Sequence, residues 1–242
     1  MVNQRAWFKE WFDTSYYHKL YEHRNEEEAE SFITLLSDHL RLCKGARVLD
    51  LPCGRGRHAV FLEQLGYRVI GADLSVNSIE YAKKFENESL RFIVHDMRKP
   101  LGNTYDAIFN LFTSFGYFDD DSMHIEVLKN FKKALKPGGI LVIDFLNIFR
   151  INEELVSTEA VVKGNITFHI SREYRDKFLI KKIDFTDEDH HYHFEEKVRS
   201  FSLCDFESMA AEAGLEIVKT FGDYRLNPYD KNTADRLILL FS

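Results

Sequence analysis

The sequence is poor in cysteine: Cys43, Cys53 and Cys204 are the only three in 242 residues. No C-x-x-C pair occurs, which argues against both a disulfide framework and a zinc motif and leaves reduced thiols as the expectation. No apolar run approaches the ~20 residues that a membrane helix needs, so no membrane partner is expected. The stretch MVNQRAWFKEWFD lacks both the apolar core and the cleavage site of a secretion signal, and the expected location is the cytoplasm. Basic charge is scarce as well. Lys and Arg number 32 against 39 Asp and Glu, a formal net charge of −7, and no dense Lys/Arg block stands out. A polyphosphate would be repelled on average, so no nucleic-acid partner is expected. Repeats and low-complexity tracts are missing too. What is present, 45% hydrophobic and 29% charged residues, suits a soluble chain with one sizeable core and an elaboration.

Strand and helix signals alternate through the middle of the chain, which predicts an α/β, doubly wound, mostly parallel sheet covered on both faces. ARVLDL reads as a buried strand, followed by a helix over HAVFLEQL that stops at Gly66. YRVIGAD is the second strand, and Ser75 is placed to cap a helix around NSIEYAKKF. LRFIVHD and YDAIFNLF follow as the third and fourth strands. Ile125, Leu128, Phe131 and Leu135 recur at helical spacing before Lys136-Pro137-Gly138-Gly139, which is expected to end the helix and open a fifth strand, ILVIDFL. The pattern then changes. From about Ala160 to Phe201, Ile166, Phe168 and Ile170 alternate with polar residues, as do Leu179, Ile183 and Phe185 less regularly, then Tyr192, Phe194 and Val198. Three or four antiparallel strands with one apolar face are expected there. A helix over LCDFESMAAEAG, a strand near EIVKTFGDY and an antiparallel last strand, RLILLF, complete the chain, and two helical segments around WFKEWF and EEEAESFITLLSDHL precede the first strand.

The stretch VLDLPCGRGRHA carries the chemistry. Gly54, Gly56 and Ala59 satisfy the dinucleotide fingerprint G-x-G-x-x-A, in which backbone N–H groups and a helix N-terminus approach a pyrophosphate. Asp50, however, sits at the tip of the preceding strand. Two like charges about 5 Å apart cost about 3 kcal/mol at an effective dielectric near 20, so a phosphate is disfavoured and a cationic ligand is favoured. Asp73 ends the second strand about twenty residues past the loop, where an acid accepts hydrogen bonds from ribose hydroxyls. That residue alone does not separate a nicotinamide enzyme from other nucleoside binders.

With Asp50, Gly54 and Gly56 in place, the sequence resembles the class I S-adenosylmethionine-dependent methyltransferases, closest to bacterial members reading DLPCG-x-GRHA with an inserted antiparallel sheet. Pro52 stands where the first glycine of that motif usually sits. The resemblance covers roughly Gly45 to Asn147 and continues more weakly through the last two strands. It implies a Rossmann-like, seven-stranded methyltransferase fold, S-adenosyl-L-methionine as cofactor, and cofactor contacts at Asp50, Cys53, Gly54, Gly56, Asp73, Leu74, Asp96, Met97, Asn110 and Leu111. Asp96 is expected to accept from the adenine amino group, the Met97 N–H to bond a ring nitrogen, and a carbonyl near Asn110 or Leu111 to hold the ammonium. Residues 1–44 are then a helical lid, 45–148 with 202–242 the cofactor domain, and 149–201 the inserted sheet.

Methyl transfer from a sulfonium is a direct displacement whose rate comes from alignment and exclusion of water. An acceptor that must lose a proton also needs a base. Tyr16, Tyr17, His124 and Asp119 are candidates that the sequence does not rank, and no catalytic residue is assigned. Tyr16, Tyr17, Tyr21 and Arg24 fall at helical spacing and either cover the cofactor or form a packing face. His190, His191 and His193 follow a hairpin tip of Asp187, Glu188 and Asp189, a place where polar residues collect, and no metal is expected there. The expected partner is a small or medium-sized acceptor, with a homodimer through the inserted sheet as a further possibility. Aminopropyl transfer from the decarboxylated cofactor and a non-catalytic nucleoside-binding protein are the alternatives. The inserted sheet is expected to serve the acceptor or self-association, because every cofactor-contacting strand end precedes it.

Overall fold

The computed structural model describes residues 7–21, 26–154 and 156–242. Arg24 lies outside the described residues. Strands β1 (Arg47–Asp50), β2 (Arg68–Asp73), β3 (Leu90–Val94), β4 (Tyr105–Asn110) and β5 (Leu135–Leu146) pair in parallel in the order β3-β2-β1-β4-β5. The last two strands of the chain extend this sheet to seven, as set out below. Helices α1 (Trp7–Trp11), α2 (Ser15–Leu20) and α3 (Glu26–Leu40) precede β1. The N-terminal region thus holds one short helix more than its sequence suggested.

Local signals account for the element ends. Helix α4 (Arg57–Gln64) follows the glycine loop, and α5 (Val76–Ala82) is capped by Ser75, whose hydroxyl accepts from the Ser78 N–H. The expected helix through Phe85 tightens after Ala82 into a single 3₁₀ turn. Helix α6 (Asp121–Ala134) leads directly into β5, which already begins at Leu135. The Lys-Pro-Gly-Gly stretch, expected as a turn, is an irregular strand start at which the β4 register shifts between Tyr105 and Ala107. Helix α7 (Ile148–Glu154) connects β5 to a second sheet, a meander of β6 (Thr158–Lys163), β7 (Ile166–Arg175), β8 (Phe178–Asp187) and β9 (His190–Arg199). Its two-residue tips, Asp176-Lys177 and Glu188-Asp189, have positive φ at both positions, the backbone that matches the strand twist.

Helix α8 (Leu203–Ala213) has a reciprocal cap between Ser202 and Asp205 and ends on a left-handed Gly214. Strands β10 (Ile217–Phe221) and β11 (Arg236–Phe241) then complete the order β10-β11-β5, with β11 antiparallel to both neighbours. The large sheet is buried on both faces. On one side α3, α4 and α5 cover Val48, Val69, Phe109 and Ile238, and on the other α6 and α8 cover Leu49, Ile108, Ile143 and Leu239. Each fully buried side chain of this size contributes about 1.5–3 kcal/mol. Strand order reverses at β1, between β2 and β4, so the carboxyl ends of β1 and β4 form the natural ligand crevice.

The inserted sheet packs one face inward, and that face is divided. Phe168 packs its ring on Phe185, which faces Tyr192 across the strands, and Ile170, Ile183 and Phe194 are cross-strand neighbours. This apolar half packs against Trp11, Leu20, Tyr16 and Tyr17 of α1 and α2. The apolar face is thus covered within the chain. Further along the same face the neighbouring rows are Arg172, Lys181 and Glu196, then Tyr174, Leu179 and Val198. Among the described residues no helix is long and apolar enough to cross a membrane.

Candidate active site

A cavity of about 1670 Å³ lies at the carboxyl ends of the parallel strands. Small-ligand pockets usually enclose about 300–1,000 Å³, so this one has room for two molecules. Its floor is the glycine loop. The Gly54 N–H donates to Asp73 Oδ2 at 2.8 Å and the Cys53 N–H to the Ala72 carbonyl at 2.9 Å, which ties the loop to the end of β2. Gly54 has φ +54° and open space where a Cβ would stand. Gly56, at φ +87°, is constrained differently: a Cβ there would lie 2.6 Å from the Phe92 ring. Its need for glycine therefore arises from packing and from the helix start, although it also borders the cavity.

Asp73 also accepts from the Ser75 N–H at 2.8 Å. Each oxygen thus holds a backbone donor, with the Leu74 N–H also bonding the carboxylate, and further acceptor capacity remains for a ligand. Burial pushes its carboxyl up, against those bonds. Asp50 lies directly beneath the lining and is 1% exposed, with no hydrogen-bond partner for either oxygen among the described residues. Burial and then the Asp73 charge push its carboxyl up to about 8. An orphaned buried carboxyl under the floor of a cleft fits a ligand that brings a cation, which would favour its ionised form.

The cavity brings together Cys53, Gly54, Gly56, Asp73, Leu74, Asp96, Met97 and Leu111 from the sequence-derived set. Asp50 and Asn110 lie beneath the lining instead. The Asn110 side chain is fully buried and donates to the Leu51 carbonyl at 2.8 Å, which fastens β4 to the start of the loop, while its Oδ1 has no hydrogen-bond partner among the described residues. Asp96 is gripped by Arg98 through Nε at 2.9 Å and Nη2 at 2.6 Å. The Leu111 carbonyl accepts from the Ser114 hydroxyl at 2.7 Å.

Beyond β4 the backbone turns sharply. Phe112 and Thr113 both have φ +58°, a conformation that costs a non-glycine residue about 1–3 kcal/mol. Asp144, a fully buried acid of β5, accepts from the Phe112 N–H at 2.8 Å and the Tyr224 hydroxyl at 3.1 Å. Arg236, at the start of β11, donates to Asp144 Oδ1 through Nε at 2.8 Å and to Thr113 Oγ1 through Nη2 at 2.8 Å. Burial opposes the guanidinium charge, yet Asp144 holds Arg236 above its ordinary value. None of these contacts was anticipated from sequence. The signal available was a lone acid inside the apolar run ILVIDFL.

The roof is built by α1, α2 and the polar half of the inserted sheet. Glu196 Oε1 accepts from Trp11 Nε1 and from the Tyr21 hydroxyl, both at 2.7 Å, and Lys181 donates to the same tyrosine. Asp13, between α1 and α2, accepts from Ser75 Oγ at 2.5 Å and Asn77 Nδ2 at 2.9 Å beside the Asp73 end of the cleft. Trp7, Phe8, Phe12 and Tyr117 add an aromatic wall, with Trp7 and Tyr117 centroids 5.2 Å apart.

Of the candidate bases only Tyr17 borders the cavity. His124 is buried among Phe115, Phe118 and Phe201, and burial holds its imidazole down to about 4. Asp119 pairs with Lys197 at 2.5 Å outside the cleft. Tyr16 donates to Asp187 at 3.1 Å on the packed face, and its hydroxyl is pushed up by its hydrogen bond with Tyr192 and by burial. His191 and His193 share the outer face of the inserted sheet with Asp184, where His193 Nδ1 lies 2.7 Å from Asp184 Oδ1. Among the described residues no cluster of His, Cys, Asp or Glu is arranged to hold a metal ion.

Residues 48–139 match the methyltransferase domain family. YqeM of Bacillus subtilis (strain 168), described as a methyltransferase, is 28% identical over 195 residues, covering 74% of this chain and 76% of that protein. The glycine N-methyltransferase of Rattus norvegicus is 33% identical over 118 residues, but the match covers 42% of this chain and only 40% of that one. The solved structure of an S-adenosylmethionine-dependent methyltransferase from Clostridium acetobutylicum ATCC 824 superposes with a TM-score of 0.80 at 20% identity, over 94% of this chain and 96% of that one. Together the domain match, the relatives and the shared fold support a class I S-adenosylmethionine-dependent methyltransferase. It is an enzyme whose cofactor is S-adenosyl-L-methionine.

Proposed function

We propose that the enzyme methylates an amine nitrogen of a small-molecule acceptor, held between the carboxyl end of β4 and the polar half of the inserted sheet's inner face. One observation carries this reading. A single cavity joins the glycine loop and strand ends to Lys181, Glu196, Leu179 and Val198 of that sheet, with space beyond one ligand. Bound there, S-adenosylmethionine supplies an electrophilic methyl on a sulfonium. Asp73 takes the ribose hydroxyls on the acceptor sites its backbone bonds leave. Asp96 and the Met97 N–H take the adenine, Leu74 packs beneath it, and Gly54 permits close approach. The Leu111 carbonyl and the Asp50 charge face the cationic end, while Cys53, Gly56 and Asn110 shape the floor.

An amine is supported on two sides. The aromatic wall suits a methylated ammonium product, since a cation is attracted to ring faces. The glycine N-methyltransferase relative, by its name, acts on an amine. Incubation with methyl-labelled cofactor and a panel of small amines, alcohols and thiols, including glycine and sarcosine, tests the reading. An N-methylated product identified by mass is expected. Label appearing solely on oxygen, sulfur or carbon, or on RNA or protein, overturns it.

A further inference from the structure

The carboxyl end of β4 takes its shape from a buried ion pair. The antiparallel register sets Ile238 opposite Asp144 and Leu146 opposite Arg236, so the two charged residues stand diagonally on one face of the sheet. Asp144 holds the loop twice, through its carboxylate on the Phe112 N–H and through its carbonyl on the Thr113 N–H at 2.9 Å. Arg236 holds the Thr113 side chain, and the Tyr117 hydroxyl holds the Thr113 carbonyl at 2.7 Å. These contacts meet on the two consecutive residues with positive φ, neither of them glycine or asparagine. Left to itself such a backbone relaxes, because L side chains disfavour that region. The Phe112 ring is held too, stacked on His58 with centroids 4.8 Å apart and an interplanar angle of 6°. A buried ion pair is weak evidence for stability, since an apolar pair of similar volume often serves as well. Its geometry here is spent on the conformation of Phe112 and Thr113, both of which border the cavity.

We propose that Asp144 and Arg236 are positioning residues that lock Phe112 and Thr113 in the left-handed conformation and so set the surface on which the amino-acid end of the cofactor rests. The proposal depends on the reading above that this end lies over the carboxyl end of β4. It follows that the pair governs recognition of the amino-acid half of the ligand and leaves the nucleoside half to Gly54, Asp73, Asp96 and Met97.

Calorimetry with two probes separates the halves: S-adenosylhomocysteine carries both, and methylthioadenosine carries the nucleoside and sulfur alone. In Asp144→Asn, S-adenosylhomocysteine affinity should fall by about tenfold or more while methylthioadenosine stays within about threefold. Thr113→Gly in the same background should return much of the loss, because glycine takes positive φ without the penalty. Should Asp144→Asn fail to fold, the paired Asp144→Leu and Arg236→Met variant removes the ion pair without stranding a charge, and the same selective loss is expected. A folded variant in which both probes weaken alike, or in which the ratio of affinities is unchanged, overturns the proposal. So does a loss that Thr113→Gly leaves in place. A wild-type protein that binds neither probe overturns the cofactor placement and the proposal together, whereas wild-type binding with an unaltered ratio in the variants overturns the proposal alone.

Discussion

Asp50 is the most buried acid of the floor, and its carboxyl, pushed up to about 8, is mostly protonated at neutral pH in the free protein. A ligand cation brought to about 5 Å stabilises the ionised form by about 3 kcal/mol at an effective dielectric near 20, which is worth about two pH units. The bound protein should therefore ionise Asp50 near pH 6. Between pH 6 and 8 binding releases a proton, so affinity for S-adenosylmethionine should rise by about tenfold per pH unit and level off above pH 8. Titration calorimetry in two buffers of different ionisation enthalpy measures that proton directly.

Asp50→Asn supplies the control, because the amide has the shape of the protonated acid and cannot ionise. The variant should match wild type near pH 6, show a flat profile through this window, and bind about 100-fold more weakly at pH 8.5. Stability runs the other way. Because the folded value is raised, the contribution of Asp50 is complete below the ordinary carboxylate range and is lost as pH rises to about 8. Asp50→Asn should thus gain stability relative to wild type as pH increases across that range. A wild-type affinity that is flat from pH 6 to 8, with no proton released, refutes the reasoning.

Asp73→Ala removes the acceptor for both the Gly54 and Ser75 N–H groups, so the fold as well as the ligand should respond. A loss of about 3 kcal/mol is expected, seen as a fall in Tm of about 6–12 °C for a chain of this length, with S-adenosylhomocysteine binding weakened more than about tenfold. An unchanged Tm would show that the tie does not hold the loop. Gly56→Ala meets both a positive φ and the Phe92 ring, and urea unfolding should register a loss of about 1–3 kcal/mol. Wild-type stability in that variant would rule out the packing account of this glycine.

The parallel sheet was legible because its signals are local. Ser75, Gly66 and Gly214 mark helix ends by their own chemistry, and β11 coincides with the run RLILLF. The glycine loop and Asp73 were legible for the same reason. Asp144 and Arg236 were not, since 92 positions separate them and only the antiparallel last strand brings them together. Positive φ at Phe112 and Thr113 leaves no trace in residue type. His124 is a candidate base by residue type alone, and a histidine in sequence does not reveal the aromatic cage around it. Leu179 fell in an apolar alternation, yet it sits on the part of the sheet's inner face that turns from packing to cavity, with Lys181 next in the same row of alternating residues.

That division of one sheet face links the two ends of the cleft. Helices α1 and α2 are fixed to the inserted sheet by the bonds of Trp11 and Tyr21 to Glu196 and by the contact of Tyr16 with Asp187. They are fixed to the start of α5 by Asp13, beside the acid expected to hold the ribose. A strand's side chains alternate strictly, so a slip of one residue in β8 or β9 would expose the apolar half and remove the polar half from the roof at once. Packing of the N-terminal helices and presentation of Lys181 and Glu196 are therefore one structural property. The cavity wall beside Asp73 and the wall that carries Lys181 and Glu196 thus both depend on the same short segment, Trp7 to Tyr21.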